Sequence, residues 1–311
     1  MLLFLCGNTA DDDSGRPGKD VAAHETTHIT MAAIAELMRR NIPLIIHSAA
    51  DTILGLCRPP APNTVVHMKQ YQKAQDNSFA LALAINWVEA KILNSRRVLQ
   101  RLAANRDELE ITPQLLALGQ LVQSCQQAGS IDTLRGYEGT AAGRYLECYA
   151  SFFPDNAPFE RRLRRPPHNA PNAILSYAYT LLTAEAEACL HAIGLDPAVG
   201  FYHEPADRRP SLALDIIEPF RAPLADAMAL DLLTHNVLNP RAHFENRNGG
   251  VYLSVEGRKR FFVAYERRME REFTSEQHGC RTTLRGELQS QCRAVKKAVN
   301  EDEPFEPFLM N

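Results

Sequence analysis

The sequence predicts an α+β protein: a short β-rich N-terminal domain followed by a mostly α-helical C-terminal domain. Three observations predict it. Strand-like apolar runs fall within the first 60 residues. A proline-rich stretch, Pro59-Pro60-Ala61-Pro62, reads as a stiff linker. Beyond about residue 65, apolar positions recur at helical spacing over long stretches.

The elements follow in order. Residues 1–6 read as a short buried strand, and residues 7–20, with Gly7, Asp11-Asp12-Asp13, Gly15, Pro17 and Gly18, as a loop. Ile29 to Arg40 carries Ile34, Leu37 and Met38 at helical spacing. Ile42–Ile46 and Ile53–Leu56 read as strands. Helical stretches are expected at Met68–Ala103, Pro113–Cys125, Tyr137–Phe153, Pro171–Ile193, Leu212–Leu233 and Arg258–Glu272, with Gly250–Leu253 as a turn or hairpin. The domain boundaries are therefore drawn at 1–62 for the N-terminal domain and 63–300 for the helical one. The acidic segment 301–311 reads as a disordered tail.

Composition narrows the function classes. Hydrophobic residues make up 45% and charged residues 23%, which is globular and not disordered. The net charge of −3 is uneven, because residues 31–300 carry 32 bases against 28 acids. That excludes a strongly basic coat for DNA and leaves room for a local basic groove. Seven scattered cysteines without a C-x-x-C pair argue against a zinc finger or a redox dithiol and suit a reducing compartment. With no run of about 18 apolar residues and no signal-like leader, the expectation is a soluble, cytoplasmic protein without a membrane partner.

Four places could carry chemistry. Glu138 sits among small residues in Gly136-Tyr137-Glu138-Gly139-Thr140-Ala141-Ala142, where a ligand can approach closely; the plain alternative is a solvated Glu in a first helical turn. His203 lies in Gly200-Phe201-Tyr202-His203-Glu204-Pro205, ahead of a helix, and could equally be a packed, hydrogen-bonded histidine. Asp215 and Glu218 are three apart in an apolar stretch and would share a helix face, needing either a cation or Arg221 to stay ionised. Pro219 threatens that helix by removing a backbone donor. One Glu, one His and a D-x-x-E pair form a donor set suited to Mg²⁺ or Mn²⁺ and phosphodiester chemistry. Fourth, His24-Glu25-Thr26-Thr27-His28 matches H-E-x-x-H, a zinc peptidase pattern when it lies on a helix. Two threonines, a preceding loop and no third ligand weaken it.

Basic residues cluster at Arg161-Arg162-Leu163-Arg164-Arg165 and again at 258–260, 267–268 and 281–297. Either cluster could neutralise phosphates or form a solvated face.

The motifs Gly136-Tyr137-Glu138-Gly139, Pro171-Asn172-Ala173-Ile174-Leu175-Ser176-Tyr177-Ala178-Tyr179, Gly200-Phe201-Tyr202-His203 and Leu214-Asp215-Ile216-Ile217-Glu218-Pro219-Phe220-Arg221 occur in this order. So do Gln70-Tyr71, Lys91-Ile92-Leu93-Asn94 and Asn248-Gly249-Gly250-Val251-Tyr252-Leu253. The series resembles the CRISPR-associated spacer-acquisition integrases, the family of the first-numbered Cas endonuclease, over roughly residues 28–270. The resemblance implies a homodimer that works with the small second Cas protein and a prespacer duplex. It implies Glu138, His203 and Glu218 as ligands of Mg²⁺ or Mn²⁺, with Asp215 as a further catalytic acid beside them. The implied chemistry is attack of a prespacer 3′-hydroxyl on a phosphodiester at a CRISPR repeat boundary, with action on branched DNA as well. Arg161, Arg162, Arg164, Arg165, Tyr177 and Arg221 are the expected DNA contacts. Family members usually open with several more strands than the 65 residues here provide, so the chain reads as a shortened variant or a piece of a larger fusion. Two other classes stay open: a catalytically weak DNA-binding scaffold of the same fold, and a zinc peptidase through His24, Glu25 and His28.

Overall fold

The computed structural model describes residues 3–5, 21–40, 42, 44–48, 53–58, 63–104, 106, 109–163, 165–275 and 279–310. The elements in chain order are β1 (Leu3–Leu5), β2 (Val21–His24), α1 (Met31–Arg39), β3 (Leu44–His47), β4 (Ile53–Cys57), α2 (Thr64–Gln75), α3 (Asn77–Ala103), α4 (Thr112–Gln126), α5 (Ile131–Ala150), α6 (Ala170–Ile193) and α7 (Ser211–Ile217). A 3₁₀ turn (Glu218–Phe220) and a π turn (Arg221–Asp226) lead into α8 (Ala227–Thr234). There follow β5 (Phe244–Arg247), β6 (Gly250–Leu253), α9 (Val255–Met269), β7 (Glu272–Thr274), β8 (Arg281–Thr283) and α10 (Leu284–Glu301). The architecture is α+β and mostly helical, as expected.

Contacts divide the chain into two units. The first comprises Met1–Ala80, Thr180–Asp215 and Gln289–Phe305. Its sheet has the order β1-β2-β3-β4, with β2 parallel to β3 and both outer pairs antiparallel. The parallel pair requires a crossover, and α1 supplies it. Thr30 starts that helix: its side chain accepts the Ala33 N–H at 3.2 Å. Val21, Ala23 and Leu44 form a core on which Ile34 and Leu37 of the helix pack. The β2 strand has little local signal, because its four residues gain their strand character from pairing with β3. His24 ends that strand and Glu25-Thr26 turn away from it. The H-E-x-x-H segment is therefore not helical, its two histidines do not share a helix face, and the zinc peptidase reading is set aside.

The second unit comprises Leu81–Tyr179, Ile216–Leu288 and Glu306–Asn311. Here α3, buried through Leu83, Ala84, Trp87, Val88 and Leu99, accompanies α4 and α5, which pack on each other. Pro113 occupies the first turn of α4, where its missing N–H costs nothing. Ser130 caps α5 by accepting the Thr133 N–H at 3.2 Å.

Three expectations are corrected. The single helix read at 68–103 is two, because the Asp76 carboxylate accepts the Ser78 and Phe79 N–H groups at 2.9 and 3.2 Å and starts a new helix. The helix read at 212–233 is interrupted by the 3₁₀ and π turns, since Pro219 and Pro223 each remove a ladder donor. Side chains bond carbonyls along this stretch: Asn94 Nδ2 donates at 2.8 Å to the Pro219 oxygen, which Pro223 leaves without its ladder donor, and Arg268 donates to the Pro223 oxygen at 2.7 Å. The acidic C-terminus is not a loose tail, since Phe308 is 2% exposed and stacks on Phe220 at 4.6 Å. Among the described residues no helix is long and apolar enough to cross a membrane.

Candidate functional site

Glu138 lies in the second turn of α5 and Glu218 opens the 3₁₀ turn, both within the second unit. Both carboxylates meet on one cation, Lys91 of α3. The ammonium pairs closely with Glu138 Oε1 and lies 2.6 Å from Glu218 Oε2. The other Glu218 oxygen is held by Arg221 at 2.9 Å. Glu218 is 3% exposed, so these two cations supply what water would otherwise give. The placement follows from the interrupted helix, because the 3₁₀ turn begins at Glu218 and Arg221 follows one turn later.

Behind Arg221 stands a buried network. Tyr145 and Tyr179 donate their hydroxyls to the Asp226 carboxylate, at 2.9 and 2.5 Å, and Tyr149 donates to the Asp226 carbonyl at 2.7 Å. Arg162 and Arg221 both lie over the Tyr179 ring, at 5.4 and 5.0 Å from its centroid. Burial pushes the Asp226 carboxyl above its usual range, while the Tyr179 and Tyr145 hydroxyls pull it back. Burial also works against the Arg221 guanidinium, but the Glu218 carboxylate outweighs it and holds that group firmly charged. A cavity of about 100 Å³ opens here, lined by Lys91, Glu138, Tyr145, Arg162, Tyr179, Arg221 and Asp226 among others.

His203 and Asp215 belong to the first unit. Asp215 is fully buried in α7. One of its oxygens accepts the His203 N–H at 2.8 Å and stands 2.7 Å from His203 Nδ1. The other accepts the Phe201 and Tyr202 N–H groups at 2.7 and 3.1 Å. The carboxylate thus holds the loop 201–203 together. Burial raises its pKa, against the pull of the His203 ring and the N–H donors. Gly200 makes this possible, because a Cβ there would stand 2.7 Å from Asp215 Oδ2. The expected D-x-x-E face is not used as a pair: Asp215 serves the loop and Glu218 serves Lys91 and Arg221.

The expected DNA contacts divide. Arg161 and Arg165 are exposed. Arg162 is turned inward, donating to Asn172 Oδ1 at 2.9 Å and Ser176 Oγ at 3.0 Å. Tyr177 is buried against Phe261 and Phe262, and Arg221 is engaged by Glu218, so these two and Arg162 have structural work inside the protein. Arg164 lies outside the described residues. Sequence reasoning missed Lys91 as a charge partner, and missed Asp226 and Tyr145 altogether. The signal for Lys91 was a lone cation inside the apolar run Leu83–Leu93. Among the described residues, no three His, Cys, Asp or Glu side chains are grouped as a metal site.

The family described as CRISPR associated protein Cas1 matches residues 19–267. A Cas4/Cas1 fusion of Geobacter sulfurreducens is 35% identical over 92% of this chain and 53% of its own length. The chain spans about half the length of that fusion and of a second one from Rhodospirillum rubrum. A Cas1 endonuclease of Thermus thermophilus is 36% identical over 82% of this chain and 75% of its own. Among solved structures, a casposase bound to integration product superposes with a TM-score of 0.79 at 24% identity, over 90% of this chain and 77% of the casposase. A Cas6-RT-Cas1–Cas2 complex gives 0.78 at 26% identity, over 94% of this chain and 32% of that one. On the matched residues and the Thermus thermophilus relative, the chain belongs to the Cas1 family.

Proposed function

We propose that the chain is the DNA-integrating endonuclease of CRISPR adaptation. It directs a prespacer 3′-hydroxyl onto a phosphodiester at a repeat boundary, and it acts on branched DNA. The observation that carries this reading is the meeting of Glu138 and Glu218 on one cationic nitrogen, in a chain of the Cas1 family. Two carboxylates that already enclose an ammonium are hard-oxygen donors of the kind Mg²⁺ or Mn²⁺ takes. His203 would complete the proposed donor set. When bound, the ion polarises the phosphate and stabilises the leaving oxygen.

The residues of the chain have separate tasks in this reading. Asp215 is a positioning residue, because its oxygens are committed to the backbone and ring of 201–203. Its contact at Nδ1 fixes the His203 ring and leaves Nε2 as the ligating nitrogen. Arg221 holds one oxygen of Glu218 and thereby orients the other. Arg161 and Arg165, both exposed, contact DNA phosphates. The chain acts as a homodimer with the small second Cas protein; the Cas6-RT-Cas1–Cas2 complex, at 26% identity, supports that partnership.

The test is a gel assay with labelled branched DNA bearing a free 3′-hydroxyl flap, run in Mn²⁺, in Mg²⁺ and in EDTA. Strand transfer or cleavage that needs the metal and disappears in His203→Ala and Glu218→Gln is expected. DNA binding without reaction, in either metal and with the second Cas protein added, would instead make the chain a scaffold.

A further inference from the structure

Lys91 has a place that the catalytic chemistry leaves unexplained. Its side chain is 18% exposed, and its ammonium bridges Glu138 and Glu218. With the second oxygen of Glu218 on Arg221, that carboxylate is already neutralised twice. Among the described residues that line the cavity or pair with its lining, three cations, Lys91, Arg162 and Arg221, face three acids, Glu138, Glu218 and Asp226. A divalent ion added to this set would leave two positive charges uncompensated in a half-buried site, where charge interactions are strong. Two changes together restore the balance. The ammonium leaves and a phosphate enters, each offsetting one charge.

We propose that Lys91 is an internal counter-ion that occupies the cation position between Glu138 and Glu218 while DNA is absent, and that it must leave for a divalent ion to bind. The inference rests on the metal reading above. A lysine suits such a part, since its point charge rides on a flexible four-carbon stem and can swing out without disturbing α3. The arriving phosphate then receives the displaced ammonium, which couples metal binding to substrate. The ammonium also keeps the two carboxylates from repelling one another in the metal-free protein. Lys91 is a positioning residue in this account.

The test is a Mn²⁺ titration of the full chain, read by the electron paramagnetic resonance signal of free Mn²⁺ and by melting temperature, with and without a DNA duplex. The variants are Lys91→Met, Lys91→Arg and Glu218→Gln. Wild type and Lys91→Arg should bind Mn²⁺ weakly alone and about tenfold more tightly with DNA. Lys91→Met should bind about tenfold more tightly than wild type without DNA and gain little from it. Lys91→Met should also melt lower than wild type in EDTA and regain the difference in Mn²⁺. If Lys91→Met unfolds in both conditions, Lys91→Gln, which keeps a donor and loses the charge, makes the same comparison. Equal or weaker Mn²⁺ binding by the neutral variant, with binding abolished in Glu218→Gln, overturns the counter-ion role and leaves the metal reading intact. Identical Mn²⁺ binding by wild type and Glu218→Gln overturns both.

Discussion

Replacing Asp215 by Asn tests how the loop 201–203 is held. The native carboxylate receives Phe201 and Tyr202 N–H groups on one oxygen, and the His203 N–H and ring on the other. Asparagine keeps the volume but has one oxygen and one NH₂. Whichever way the amide turns, two groups that now face an acceptor face a donor. Each buried donor left unpaired costs about 1–3 kcal/mol. The His203 ring is 27% exposed and can turn to water, so the loss is nearer the lower end, about 3 kcal/mol in all. Unfolding entropy of about 2.1 cal/mol/K per residue gives roughly 0.65 kcal/mol/K for a chain of this size, and hence a fall of about 5 °C in Tm. The cost to strand transfer should be larger than the cost to stability, because the loss of either pair of contacts loosens the loop that carries His203. The assay is a melt and a strand-transfer time course on the same preparation. A Tm within 1 °C of wild type together with unchanged transfer refutes the argument that this carboxylate holds the loop.

Three further outcomes follow from other parts of the molecule. Gly200→Ala places a Cβ 2.7 Å from Asp215 Oδ2, so it should cost about 1–3 kcal/mol in a urea melt and lower strand transfer as Asp215→Asn does. Phe308→Ala removes a ring that is 2% exposed and stacked on Phe220, and should cost about 3–5 kcal/mol; a change below 1 kcal/mol would return the C-terminus to the status of a loose tail. Burial, with Arg58 and His67 nearby, lowers the His191 pKa from 6.5 to about 4. This group therefore binds a proton in the unfolded chain before the folded one, and its contribution is whole above pH 6.5 and lost as pH falls towards 4. The loss at pH 5 is about 2 kcal/mol, so the drop in urea midpoint between pH 7 and pH 5 should shrink in His191→Asn.

Much of the helical architecture was legible because its signals are local. Pro113 at a first turn, the uninterrupted periodicity of 171–193 and the hairpin signal at Gly250–Leu253 each specify their elements without distant help. The β2 strand was not legible, because four residues of modest strand character gain their meaning only by pairing with β3. The helix α10 escaped for a related reason: its abundant charges disguise a stripe of Leu288, Cys292, Val295 and Val299 at helical spacing, all buried. Glu138, His203 and Glu218 stand out as acids and a histidine among small or apolar residues, but it is the resemblance to the Cas1 family that groups them as a proposed ligand set. The role of Lys91 could not be named, since a lysine in a helix normally reads as solvated, and its two partners lie 47 and 127 positions away. Tyr145 and Tyr149 read as core aromatics, and the acceptor that gives their hydroxyls a purpose, Asp226, lies beyond the expected site segment.

The wide turn between Arg221 and Asp226 makes winding, more than side-chain identity, the fixed quantity in this stretch. Each residue of an α-helix advances about 100° around the axis. A wide turn accommodates one residue more than a regular one would. Regular winding of the same residues would therefore swing Asp226 away from the Glu218–Arg221 pair by roughly that angle. All of the side chains would remain, but they would point in the wrong directions. Deleting a single residue from Ala222 to Ala225 lets a regular turn close with both ends nearly in place, so such a deletion should be tolerated better than an insertion, and the winding becomes a criterion that a sequence must meet to build this site.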